Sequence, residues 1–176
     1  LSMVHLQRGT VSNVGEFCDS LETRVTAIAG VHELLYESPD LSTIDMGDLL
    51  ERLVRLTAGT VPGARIQVRA HSKPVRLEYA TPLALIANEL VTNACKYGTD
   101  DDGMARIRVH FEILNDHPVL TVRDSGPGLD PAIINSNSAG LGLSLVKSLA
   151  EQIDGSLNVT NDAGAVFAIT LPTTYG

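Results

Sequence analysis

The spacing of hydrophobic positions changes once along the chain, near residue 61. Before it they recur at helical intervals. Val14, Cys18, Leu21, Val25, Ile28, His32 and Leu35 step by four and three, the 3.5-residue repeat of a helix that lays a seam against a partner helix. This predicts a helix over 14–37, antiparallel to a first helix whose tail is residues 1–8, with a turn between Gly9 and Gly15. Ser38-Pro39-Asp40 stops the second helix. Asp45 or Ser42 caps a third, with Leu49, Leu50, Leu53 and Leu56 as its apolar stripe. A two-helix hairpin cannot bury its own seam, so a second copy is expected to complete a homodimer.

From Gly63 the period becomes two. Ile66 and Val68 alternate with polar neighbours, as do Val75, Leu77 and Tyr79, with Pro74 expected as a hairpin or bend between them. Thr81-Pro82 is expected to open a helix, with proline in the tolerated first turn. Ile107, Val109, Phe111 and Ile113, then Leu120 and Val122, predict an antiparallel hairpin about Asn115-Asp116. A helix with Leu143, Val146, Ala150 and Ile153 on its buried side ends at Asp154-Gly155. Two strands follow, one with Leu157 and Val159 and one with Val166, Phe167, Ile169 and Leu171, about the turn at 161–164. The sheet thus reads as hairpins.

Three stretches carry chemistry. On the helix through 88–98, Glu89, Asn93, Lys96 and Tyr97 share one face, while Leu83, Ala87, Leu90, Val91 and Ala94 share the other. A carboxylate, an amide oxygen, an ammonium and a phenol on one face can hold a metal ion and touch a phosphate chain. The strand through Val122 runs into Asp124-Ser125-Gly126-Pro127-Gly128. Its glycines permit a tight bend and close approach of a ligand, and Asp124 suits an exocyclic amino group. After the irregular residues 130–139, Gly140-Leu141-Gly142 opens a helix whose free amides favour an anion. The glycines are not placed as in a dinucleotide-binding βαβ unit, and no Gly-Lys-Ser/Thr phosphate loop is present.

Composition narrows the partners. A formal charge of −8 is the wrong sign for a chain whose main partner is a nucleic-acid backbone. An apolar share of 44% can build a core, and no run is long enough to span a membrane. Cys18 and Cys95 form neither a disulfide framework nor a metal-ligand spacing, and read as two thiols of a reducing cytoplasm. Asp100-Asp101-Asp102-Gly103 reads as a solvated turn. His32-Glu33 could be a phospho-acceptor with its base, but reads better as a helix-seam histidine; His5 has no adjacent acid.

In this order the three stretches resemble the ATP-binding fold shared by gyrase-type ATPases, heat-shock-90 chaperones, MutL and histidine kinases. Residues 86–98, 120–129 and 138–155 resemble the histidine kinases in detail, through Lys96-Tyr97-Gly98 and Gly140-Leu141-Gly142-Leu143-Ser144-Leu145-Val146. The stretch from Arg24 to Tyr36 is similar to the second dimerisation helix of the HisKA_2-like subfamily, whose acceptor box reads His-Arg-Val-Lys-Asn-Asn. The branch with a histidine in the acid–amide motif and a Trp-x-Glu near the glycines does not fit, since residue 87 is Ala and the chain has no Trp.

The resemblance implies an α+β fold: a two-layer α/β sandwich of the Bergerat type preceded by an α-helical hairpin. It divides the chain into a helical dimerisation and phosphotransfer segment, 1–60, and an ATP-binding domain, 61–176. It implies ATP and Mg²⁺ as cofactors, a response-regulator receiver domain and a second copy as partners, and a cytoplasmic location for this segment without membrane or nucleic-acid contact. Glu89 would orient or activate at the γ-phosphate, Asn93 bind Mg²⁺, and Lys96 and Tyr97 contact phosphates. Asp124 would accept from the adenine amino group in a pocket shaped by Gly126 and Gly128. Gly140, Leu141 and Gly142 would contact the nucleotide where the lid and the phosphate-side helix begin. Thr170 would support the adenine through water. The acceptor box is absent, so the phosphorylated histidine is expected upstream of Leu1. Rival expectations are an ATPase of the same superfamily that drives conformational change, and a phosphotransfer or scaffold relative without catalysis.

Overall fold

The structure, a computed structural model, describes residues 14–38, 41–58, 63–130 and 141–175. The expected helix tail at 1–8, its turn, the Pro39-Asp40 stop and the segment 131–140 with Gly140 lie outside the described residues. The first element is helix α1 (Val14–Glu37), followed by strand β1 (Thr43–Asp45) and helix α2 (Met46–Ala58). Asp45 caps α2, its Oδ1 accepting from the amides of Gly47 at 2.8 Å and Asp48 at 3.1 Å. The stripe of α2 is Met46, Leu49, Leu50, Leu53 and Val54, all buried, whereas the expected Leu56 is exposed.

Strand β2 (Ala64–Ala70) and strand β3 (Pro74–Arg76) come next. They do not form a hairpin. β3 pairs antiparallel with β1, setting buried Ile44 opposite buried Val75, and β2 joins the main sheet. Leu77 and Tyr79, expected in a strand, belong instead to the first turn of helix α3 (Leu77–Tyr97). Pro82 therefore lies inside α3 rather than in its first turn, which leaves one carbonyl of the preceding turn without its helical donor.

The rest of the chain is strand β4 (Ala105–Leu114), strand β5 (His117–Arg123), helix α4 (Leu141–Gln152), strand β6 (Ser156–Asn161) and strand β7 (Ala165–Thr170). The main sheet has the order β2-β4-β5-β7-β6. Asn115 and Asp116 both have positive φ, the two-residue turn that matches strand twist and makes the expected β4–β5 hairpin. β2 and β4 pair in parallel, with α3 as the crossover between them, so this edge is not a hairpin. In β4, Ala105, Ile107, Val109 and Phe111 face inward while Arg106 and Arg108 are exposed. The helices thus cover one face of the sheet, and the architecture is the two-layer α+β sandwich.

α3 lies at the centre of the helical layer. Leu83, Ile86 and Leu90 are fully covered, and α1, α2 and α4 all pack on it. α1 presents Arg24, Ala27 and Val31 to α3. The expected seam lies about a quarter-turn away at 3.6 residues per turn, with Cys18, Val25 and His32 exposed and Leu21, Ile28 and Leu35 half-buried. One hydrophobic cluster runs from Ala27 through α2 and α3 to Leu171, so the packing has no break at residue 60.

Candidate functional site

The sheet end and α3 meet at Asp124. The residue directly follows β5, and its amide donates to Ala165 O at 3.1 Å. Its Oδ1 accepts from the amides of Gly126 at 2.9 Å and Ala165 at 3.0 Å. Two backbone donors lock the carboxylate, while Oδ2 has no partner among the described residues. An anchored carboxylate with one free oxygen is a directional acceptor for an amino group.

Glycines let the backbone close around this residue. A Cβ on Gly98 would lie 2.6 Å from Asp124 Cβ, one on Gly126 would lie 2.6 Å from Gly98 Cα, and one on Gly164 would lie 2.1 Å from Asp124 O. Gly98 and Gly164 are thus as necessary as Gly126 to the close packing around Asp124. Gly128 has positive φ and faces Asn161. The Asn161 side chain accepts from the Leu129 amide at 2.9 Å and donates to the Leu129 carbonyl at 2.8 Å. It ties the glycine loop to the β6–β7 turn as a strand neighbour would.

One to three turns back along α3 is the second half of the site. Glu89 and Asn93 are successive on one face, and Glu89 is 7% exposed. Gly142, in the first turn of α4, sits against both: a Cβ there would lie 3.1 Å from Glu89 Oε2 and 3.2 Å from Asn93 Nδ2. The acid–amide pair therefore faces the amide-rich start of α4. Glu89 Oε1 accepts from Arg24 Nε at 2.7 Å, across 65 positions of sequence. Both side chains are buried. Lys96 and Tyr97 are exposed on the last turn of α3. Leu141 begins α4.

One expected residue falls elsewhere. Thr170 pairs with Val119 and Ser156 at the far end of β7, five positions from Ala165, whose amide holds Asp124. Strand rise puts about 17 Å between the two, too far for a shared water. His32 is exposed on α1, and the acid beside it, Glu33, is engaged by Arg52. Among the described residues no group of three His, Cys, Asp or Glu side chains could hold a metal ion. Burial pushes the Cys95 thiol up, away from nucleophile chemistry.

The family model described as "Histidine kinase-, DNA gyrase B-, and HSP90-like ATPase" matches residues 78–175. The chain belongs to this family. A second model, "Histidine kinase", matches residues 1–60. Among curated relatives, the blue-light-activated histidine kinase 2 of Erythrobacter litoralis is 26% identical over 185 residues, covering 98% of the chain and 52% of the relative. The sensor histidine kinase GlnK of Bacillus subtilis is 27% identical over 178 residues, covering 90% of the chain and 43% of the relative. The chain thus spans about half the length of the curated relatives it matches. The histidine kinase domain of the Erythrobacter litoralis EL346 blue-light activated histidine kinase shares the fold at TM-score 0.81 and 24% identity, covering 98% of the chain and 83% of that domain.

Asp124, packed on Gly98 at the end of α3, and the Glu89–Asn93 pair one to three turns back are the two candidate halves of a site along this helix. Gly98 is read from the sequence as the end of the Lys96-Tyr97-Gly98 motif, while Arg24, Asn161 and Gly164 are given no role there. Gly164 has a weak signal, as the glycine of the 161–164 turn. Arg24 had none, since a lone arginine in a helix reads as solvent-facing.

Proposed function

We propose that the chain is the dimerisation and ATP-binding core of a sensor histidine kinase. The reaction is transfer of the ATP γ-phosphoryl to a histidine and then to an aspartate of a response-regulator receiver domain. The observation that carries this is the placement, along one helix, of an anchored carboxylate with a free oxygen and an acid–amide pair under the start of α4. The spacing suits an adenine at one end and a triphosphate at the other.

In this reading Asp124 Oδ2 accepts from the adenine amino group, and Gly126 and Gly128 let the base approach backbone. Asn93 offers its side-chain oxygen to Mg²⁺. The donor set fits a Mg²⁺ held largely by the nucleotide's own phosphates, which needs only one or two protein oxygens rather than a cage. Bound Mg²⁺ would neutralise charge on the β- and γ-phosphates. Lys96 and Tyr97, exposed at the helix end, reach phosphates, and Gly140, Leu141 and Gly142 present backbone to them. Glu89 orients or activates the acceptor at the γ-phosphate. Catalysis is then mostly positioning and charge neutralisation.

The functional division is a helical segment, 1–60, and an ATP-binding region, 61–176, with β1 and α2 built into the packing of the second. The exposed stripe of Cys18, Val25 and His32 on α1 supports a seam completed by a second copy. Among the described residues no helix is long and apolar enough to cross a membrane; the ATP use proposed for this segment supports a cytoplasmic location. Titration with Mg-ATP tests the reading: Asn93→Ala is expected to abolish binding. Unchanged affinity would sink the assignment.

A further inference from the structure

The Arg24–Glu89 pair joins α1 to the acid of the phosphate end. A buried ion pair contributes little net stability over an apolar pair of the same size, and the rest of this contact is already apolar through Ala27 and Val31. What the pair does supply is orientation. Glu89 has three rotatable side-chain bonds, and with Oε1 bonded to Arg24 Nε its Oε2 is held facing Gly142 and Asn93. Without that bond a carboxylate recovers its rotamer freedom and no longer points at one place. The bond also comes from outside the sheet-and-helix unit that forms the remainder of the site.

We propose that Arg24 is a positioning residue for phosphoryl transfer, supplied by the helical segment to aim Glu89 at the γ-phosphate. This rests on the reading that Glu89 acts there. Arginine suits the task because Nε donates in the plane of a rigid guanidinium, which fixes direction as well as charge. Lysine keeps the charge and loses the plane.

The test compares wild type, Arg24→Met, Arg24→Lys and Glu89→Gln in the full-length protein. Turnover of Mg-ATP, counted as phosphoprotein plus released phosphate, is set against nucleotide affinity from equilibrium titration. Arg24→Met is expected to lower turnover at saturating Mg-ATP on the order of a hundredfold, the scale of a 1 Å misplacement, with affinity changed less than about threefold. Arg24→Lys is expected to recover part of the loss. Wild-type or raised turnover in Arg24→Met, alongside an inactive Glu89→Gln, overturns the proposal and leaves the role of Glu89 standing. Wild-type turnover in Glu89→Gln overturns that role itself, whatever Arg24 does. Should Arg24→Met not fold, Arg24→Lys decides: reduced turnover at unchanged affinity supports positioning, and affinity lost in step with melting temperature overturns it.

Discussion

Replacing Gly98 with alanine adds one methyl group where the fold has no room. The new Cβ would lie 2.6 Å from Asp124 Cβ, 2.9 Å from Asp124 Cγ and 2.6 Å from Ala94 O. Carbon–carbon contact is comfortable at about 3.5 Å or more, so roughly 0.9 Å must be found. Neither neighbour is the loose end of a flexible side chain. One is the base of the anchored acid, and the other is the carbonyl that accepts the Gly98 amide at 2.8 Å. Backbone strain plays no part, because Gly98 sits at φ −94° and ψ 27°, which alanine adopts freely. The effect is therefore steric alone, about 1–3 kcal/mol of overpacking. A second effect follows from pushing Asp124 off its two amides and off line for adenine. A hydrogen bond to a charged group contributes about 1.5–3 kcal/mol, or roughly ten- to a hundredfold in ATP affinity. Denaturant titration measures the first quantity and nucleotide titration the second. Mg-tripolyphosphate, which has no base, should bind Gly98→Ala as it binds wild type. Unchanged stability together with unchanged ATP affinity would refute the packing argument. Equal losses for ATP and tripolyphosphate would refute the claim that the damage is local to Asp124.

Three other outcomes are expected. Asn161→Ala removes both bonds to Leu129 and should cost about 1–2 kcal/mol, with faster proteolysis between residues 125 and 130; an unaltered cleavage rate would show that the loop is held by something else. Thiol alkylation of the native protein should mark exposed Cys18 and spare buried Cys95. Because burial raises the Cys95 thiol, the folded state disfavours its ionised form. The contribution of this thiol to stability is therefore flat through neutral pH and falls as the pH climbs past the ordinary thiol range, a decline that Cys95→Ala should remove.

Period and motif order made most of the fold legible, and the failures have physical causes. Ile107 to Phe111 alternates cleanly because one face of β4 is packed and the other is more exposed, whereas Pro118, Val119 and Leu120 are buried in succession on β5. Leu77 and Tyr79 alternate with Val75 just as well, yet they open a helix, because a two-residue period over five positions also fits one turn of α3. Parallel pairing of β2 with β4 was invisible because alternation names the inward face of a strand and not its neighbour. On α1 the sequence shows the apolar stripe, while the face used within the chain is marked by Arg24, Ala27 and Val31, two of them unremarkable. The resemblance points to Thr170 on the last strand. The atom that holds Asp124 on that strand is the Ala165 amide, and a backbone donor leaves no trace in residue type. The glycine motifs were readable because close approach of backbone to backbone excludes every other side chain.

The pairing of β1 with β3 has a mechanical consequence. It pins the chain immediately before α3, and only residues 38–42 separate β1 from the end of α1. An extended chain gains at most about 3.6 Å per residue, so Glu37 stays within about 20 Å of Thr43 however the helix moves. The far end of α1 has no such tether among the described residues. Were α1 to pivot about Glu37, Arg24 would ride about 20 Å along it at 1.5 Å per residue. A tilt of only about 10° would carry the guanidinium more than 3 Å at that radius, enough to part it from Glu89.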